Sequence, residues 1–134
     1  MYKKIIISLA LDHGISEMAL EAARKLRADA SNIVAVHVYE PISGTAAAYV
    51  SQEDVAKSFQ AAKDKLAERV AEAPDVKAVM LKGHTARALI DYAEKVGADC
   101  IIVGSHKPGV SDFFLGSTAA RIVRHAPCTV IVLR

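Results

Sequence analysis

Two cysteines, Cys100 and Cys128, are too few for a disulfide framework, and both adjoin apolar, strand-like runs. Cysteines in that setting act as small buried hydrophobes. No apolar run approaches the roughly 20 residues that cross a bilayer. The opening Met1-Tyr2-Lys3-Lys4 leads straight into a short apolar strand, with no signal-peptide pattern. A cytoplasmic protein without a membrane role is therefore expected. Beyond Lys3-Lys4 there is no dense basic cluster, and the formal net charge is only +2. Nucleic-acid binders show a stronger electrostatic footprint, so a nucleic-acid partner is not expected. The phosphate-transfer signature G-x-x-x-x-G-K-[ST] is missing too, and so is any internal repeat. What is present is 52% hydrophobic and 24% charged residues in 134. That composition suits one globular domain spanning residues 1–134.

The apolar runs alternate with helical patterns. Lys3–Leu11 reads as a strand buried on both faces. Asp12-His13-Gly14 breaks it, Ser16 is a candidate helix N-cap stapled by Ile15 and Leu20, and a helix is expected over about residues 16–29. Asn32–Tyr39 is the second strand; His37 inside it reads as a satisfied core histidine. Glu40–Val50, with Pro41 and Gly44, reads as an irregular loop. Ser51-Gln52-Glu53-Asp54 resembles a capping box, after which Val55, Phe59, Ala62, Leu66 and Val70 form one helical face ending before Pro74. Val76–Lys82 is the third strand and Gly83-His84 its turn. Thr85 is the expected cap of a helix with Leu89, Ala93 and Val96 inward and Gly97 at its C-terminal end. Asp99–Val103 is the fourth strand. Ser117–Ala126 forms a last helix with Ile122 and Val123 inward, and His125 near its end complements the dipole. Cys128–Leu133 closes the chain.

Five strands alternating with four helices predict an α/β fold: an open, parallel five-stranded sheet of Rossmann-like type with helices on both faces. Right-handed crossovers bring the turns after each strand to one edge, where ligands of such sheets bind. The most telling stretch is Ile101 to Thr118. An apolar run stops at Gly104, a polar turn carries Ser105, His106, Lys107 and Gly109, and Gly116-Ser117-Thr118 opens a helix. Glycines admit close approach of an anion, and the first helical N–H groups have no partner of their own. The same order also suits an ordinary strand-to-helix connection. His13, His84 and His106 all follow strands, yet their spacing supports no metal site; contact of His106 with a phosphate is the alternative weighed.

Gly-Ser-His at residues 104–106, Leu-Gly-Ser-Thr at 115–118 and Arg-His-Ala-Pro-Cys at 124–128 resemble the universal stress protein family. Tyr-Lys-Lys-Ile-Ile at the start, Val-His-Val in the second strand and Gly-Ala-Asp before the fourth extend the resemblance over the whole chain. It implies a cytoplasmic homodimer, joined through the last strand at residues 128–134, that acts in the stress response. One branch of the family binds ATP or AMP; another lacks the site. The binding branch carries glycine, two residues, glycine, nine residues, then glycine with Ser or Thr. Gly104 and Gly116-Ser117 match, whereas Lys107 stands at the second glycine and the span is one residue short. The family aspartate after the first strand aligns with Ala10, with Asp12 two residues on. Val38 matches the position whose backbone meets adenine.

The nucleotide contacts expected from residues and resemblance together are Leu9, Ala10, Asp12, Val38, Gly83, Gly104, Ser105, His106, Lys107, Gly109, Gly116, Ser117 and Thr118. The expected ligand is ATP or AMP, with Mg arriving on the ATP and hydrolysis slow at most. The rival reading is a dimeric interaction protein without nucleotide. A third, an ATP-using enzyme, needs a base or nucleophile that adjacent Ser105 and His106 do not by themselves supply.

Overall fold

A computed structural model describes residues 1–11, 17–105 and 115–134, with residues 29–31 described by backbone alone. The strands are β1 (Tyr2–Ser8), β2 (Arg27–Tyr39), β3 (Val76–Lys82), β4 (Cys100–Gly104) and β5 (Thr129–Leu133). The helices are α1 (Glu17–Leu26), α2 (Gln52–Val70), α3 (Thr85–Val96) and α4 (Ser117–His125). The sheet order is β3-β2-β1-β4-β5, and every pairing is parallel.

Period-two alternation in the central strands explains the layers. Ile5 and Ile7 face one way, with Ile33, Ala35 and Ile102; Ala19 and Ala23 of α1 and Leu66 of α2 cover that side. Ile6 faces the other way, with Val34, Val36 and Ile101, beneath Ala86, Leu89 and Ala93 of α3 and Ile122 of α4. Ile5, Ile6 and Ile101 have no exposed surface. Each such side chain contributes about 1.5–3 kcal/mol of burial.

Polar contacts fix the ends. The Asp99 carboxylate accepts the N–H groups of Lys3 (2.8 Å) and Lys4 (2.9 Å), tying the start of β1 to the start of β4. Arg24 and Arg27 both reach Asp75, at 2.7 and 3.1 Å. The Arg24 guanidinium, chiefly through its hydrogen bonds, pulls the Asp75 carboxyl down to about 2. Phe59 of α2 meets Tyr39 edge to face at 5.4 Å and lies under the Lys82 ammonium at 4.2 Å. These contacts fasten α2 over β2 and β3.

Several local expectations need correction. α1 stops at Leu26 rather than near residue 29, because Arg27 already pairs with Tyr2 as the first residue of β2. The connector after β2 is not wholly irregular: Gly44–Tyr49 forms a 3-10 helix with no buried residue. α2 ends at Val70, four residues before Pro74. Asp99 precedes β4, its N–H bonding Lys4 O at 3.1 Å. Val123 is 48% exposed, so Ile122 alone of that pair points inward. Ser51 does cap α2, its hydroxyl accepting the Asp54 N–H at 3.1 Å. Gly97 does end α3, in the left-handed region at φ 68°. The Ile15 staple and the Ser16 cap fall outside the described residues.

Candidate functional site

Strand order reverses between β1 and β4, the two strands that leave for opposite sides of the sheet. Ile7 pairs with Ile102. Two residues further on, Leu9 and Gly104 stand at equivalent heights on the carboxyl edge. The Leu9 N–H donates to Val36 O at 2.8 Å, and the Leu9 carbonyl accepts from His37 Nδ1 at 2.9 Å. A carbonyl only accepts, so Nδ1 is the nitrogen that donates in this bond. His37 is half-buried. Its expected role as a satisfied histidine is met on one nitrogen.

The Leu9–Val36 bond is the last rung joining β1 to β2 among the described residues. Residues 36 and 38 present their backbone groups to the same side of β2. Val38, itself buried, therefore directs its N–H and C=O toward the side that β1 has left. Ala10 there is exposed and Leu11 buried.

The turn after β4 closes on itself. Ser105 N–H donates to Leu133 O at 2.8 Å, and Ser105 O accepts Gly116 N–H at 2.6 Å. The start of α4 thus lies against the end of β4. A Cβ built on Gly104 meets nothing within 4 Å among the described residues. Packing among the described residues does not demand glycine there. Gly116 is the N-cap of α4 without a side-chain cap bond, and the N–H groups of Ser117 and Thr118 fall in the unpaired first turn.

At the other end of the edge, Gly83 (φ 133°) donates its N–H to Tyr39 O at 3.0 Å. β3 is three strand spacings from β4, roughly 14 Å, so Gly83 serves the β2–β3 side and not the turn after β4. Thr85 does not cap α3: His84 holds the cap position without a side-chain bond. Glu40, which the sequence pattern does not single out, does the work instead. Its Oε1 accepts both the Thr85 N–H at 3.0 Å and the Thr85 hydroxyl at 2.5 Å. Those two hydrogen bonds, the hydroxyl first, lower the Glu40 carboxyl from its ordinary value. Arg121 of α4 extends a guanidinium N–H to His84 Nε2 at 3.5 Å.

Thus Leu9, Ala10 and Val38 gather at the ends of β1 and β2. Gly104, Ser105, Gly116, Ser117 and Thr118 gather at the adjacent β4–α4 junction. Asp12, His13, His106, Lys107 and Gly109 lie outside the described residues. No cluster of His, Cys, Asp or Glu suited to a metal occurs among the described residues, and no described helix is long and apolar enough to cross a membrane.

The sequence pattern also leaves out an open surface groove of about 380 Å³, most of whose lining is exposed. It opens where Ala10 and Leu11 leave β1, beside His37, and α2 supplies Ser58, Ala61, Ala62 and Lys65. The signal for it is the spacing of those four residues at i, i+3, i+4 and i+7, one helical stripe beside the apolar face.

The family model described as the universal stress protein family matches residues 1–134. Universal stress protein A homolog 2 of Coxiella burnetii is 30% identical over 140 residues, covering 99% of this chain and 95% of its own. A universal stress protein of Thermus aquaticus is 28% identical over 137 residues, covering both chains fully. Among solved structures, the hypothetical protein MJ0577 superposes with a TM-score of 0.80 at 26% identity, covering 99% of this chain and 96% of that one. Two more distant folds carry nucleotides. A universal stress protein from Archaeoglobus fulgidus in complex with dAMP matches at 18% identity (TM-score 0.59, covering 99% of this chain and 98% of its own). An Arabidopsis thaliana family protein with AMP bound matches at 17% (TM-score 0.59, covering 98% and 90%). With the parallel sheet, its reversal between β1 and β4 and the whole-length match together, the chain belongs to the universal stress protein family.

Proposed function

We propose that the carboxyl edge binds an adenine nucleotide, ATP or AMP, and that the protein acts as a homodimeric regulator in the stress response. The observation that carries this reading is the β4–α4 junction. Gly104 leaves open space where a side chain would stand, directly beside the uncapped N-terminus of α4. Phosphate oxygens there meet backbone N–H groups, the hydroxyls of Ser117 and Thr118, and the positive end of the helix dipole. The base lies toward β2, where the buried Val38 N–H and C=O offer one donor and one acceptor in a row. The edge of a purine pairs with such a donor and acceptor. The dAMP and AMP held by the Archaeoglobus and Arabidopsis relatives support an adenine nucleotide as the ligand. Mg enters with ATP, and hydrolysis is slow.

The rival reading, a dimer that binds no nucleotide, draws on Lys107 at the family's second glycine and Ala10 at its aspartate. Native mass spectrometry of the purified protein, followed by calorimetric titration with ATP, AMP and cyclic AMP, separates the two. Bound nucleotide, or saturable heat at millimolar ligand or below, is expected; neither would leave the rival standing. Gly116→Val then locates the phosphates: affinity falls at least tenfold if they lie over α4, and stays unchanged if they lie elsewhere.

A further inference from the structure

The connector between β2 and α2 belongs neither to the buried core nor to the proposed nucleotide edge. Every residue from Pro41 to Tyr49 is exposed, Tyr49 to 90%. The 3-10 helix over Gly44–Tyr49 buries no residue and has no side-chain cap. Its last turn is held by Val50 N–H to Ala47 O at 3.5 Å, longer than a good hydrogen bond. No side chain from Pro41 to Val50 makes a hydrogen bond, ion pair or ring contact with a described residue. Short 3-10 turns have poor hydrogen-bond geometry, so this one opens at little cost. Both flanks are pinned, Glu40 to Thr85 and Ser51 to the Asp54 N–H. Opening is therefore confined to residues 41–50.

The same connector divides the chain into two pieces that interlock. Residues 1–49 supply β1, α1 and β2, and residues 50–134 supply the remaining strands and helices. In the order β3-β2-β1-β4-β5, the first piece sits between two strands of the second. Seven register pairs join β2 to β3, and three join β1 to β4. Asp99 holds the Lys3 and Lys4 N–H groups, and Asp75 holds Arg24 and Arg27, across the same divide. We propose that the connector is a processing site, where an endoprotease selective for aromatic residues cuts Tyr49–Val50 and leaves a folded two-piece protein. Water adds across that amide, which gives Tyr49 a carboxylate and Val50 an ammonium. Exposed tips of small residues are the usual places for nicking and insertion, and Thr45-Ala46-Ala47-Ala48 forms such a tip. The proposal does not depend on nucleotide binding, because no residue from 41 to 50 belongs to that edge.

Full-length protein is treated with trace chymotrypsin, and samples are read by denaturing and native mass spectrometry. Fragments 1–49 and 50–134 are expected among the first products. Native spectra should keep the two together, at the parent mass plus one water per cut chain. Tyr49→Ser should slow that cut about tenfold or more, the usual effect of a lost pocket contact, with the thermal midpoint unchanged. A second variant carries the recognition sequence of a sequence-specific protease between Ala48 and Tyr49. Once cut there, it should keep the circular dichroism of the uncut protein. Survival of Tyr49–Val50 while other bonds are cut overturns the proposal. So does separation or unfolding of the two pieces after the cut in either protein.

Discussion

Single residues separate what the fold needs from what the site needs. Gly104 sits at the end of a strand with ordinary backbone angles and open space at its Cβ position. Gly104→Ala should therefore leave stability unchanged, or raise it by up to about 1 kcal/mol because glycine is a poor strand residue. If phosphate oxygens approach there, as proposed, the same methyl intrudes and ATP affinity should fall. Thermal denaturation and calorimetry of the same sample read the two effects apart. Asp75 is the opposite case, a residue that serves the fold alone. Its carboxyl is held at about 2 against an ordinary 3.8. A depressed folded value means the contribution is complete above 3.8 and is lost as pH falls toward 2. Urea midpoints measured at pH 5 and pH 2.5 should drop more for the parent than for Asp75→Asn, by a small margin because both arginines are partly exposed.

At the level of elements, the strands were the most legible part of the sequence. β3 runs from Val76 to Lys82 as the sequence pattern predicts, an edge strand with Val76 buried and Lys77 and Lys82 exposed. Boundaries set by tertiary contact were less legible. Arg27 has no local reason to leave a helix; its pairing with Tyr2 and its ion pair with Asp75 supply the reason from a distance. The cap of α3 was hidden in the same way. Thr85 looks like a cap in the linear sequence, whereas the actual acceptor, Glu40, lies 45 residues earlier at the end of β2. The site divides similarly: Gly104 and Gly116-Ser117 are visible as a motif, but the groove beside α2 needs β1, β2 and α2 to be placed together. Glu40→Ala should cost about 1 kcal/mol in urea denaturation, the usual cost of a lost N-terminal cap. At pH values low enough to protonate Glu40 in the parent, the difference between the two proteins should shrink.

For the whole molecule, β5 is an edge strand, paired among the described residues with β4 on one side alone. Leu133 turns its carbonyl toward β4, where Ser105 N–H meets it. Val132, one residue earlier, therefore turns its backbone groups to the free side. Val132→Pro removes one outward N–H without touching the rungs to β4, a substitution that edge strands tolerate. If two copies join through this strand, as the family resemblance implies, sedimentation velocity should show the parent as a dimer and Val132→Pro as a folded monomer. A variant that stays dimeric would place the contact on another surface.

The open space at Gly104 also bears on descent. Glycine and alanine codons differ by a single base, and nothing among the described residues resists the added methyl group. If the carboxyl edge holds a nucleotide as proposed, a lineage loses it in one mutational step without unpacking any described residue, and regains it by the reverse step. Selection on folding would be blind to either change. On that view, ligand-holding and ligand-free proteins of this architecture are neighbours in sequence space, separated at this position by one carbon atom.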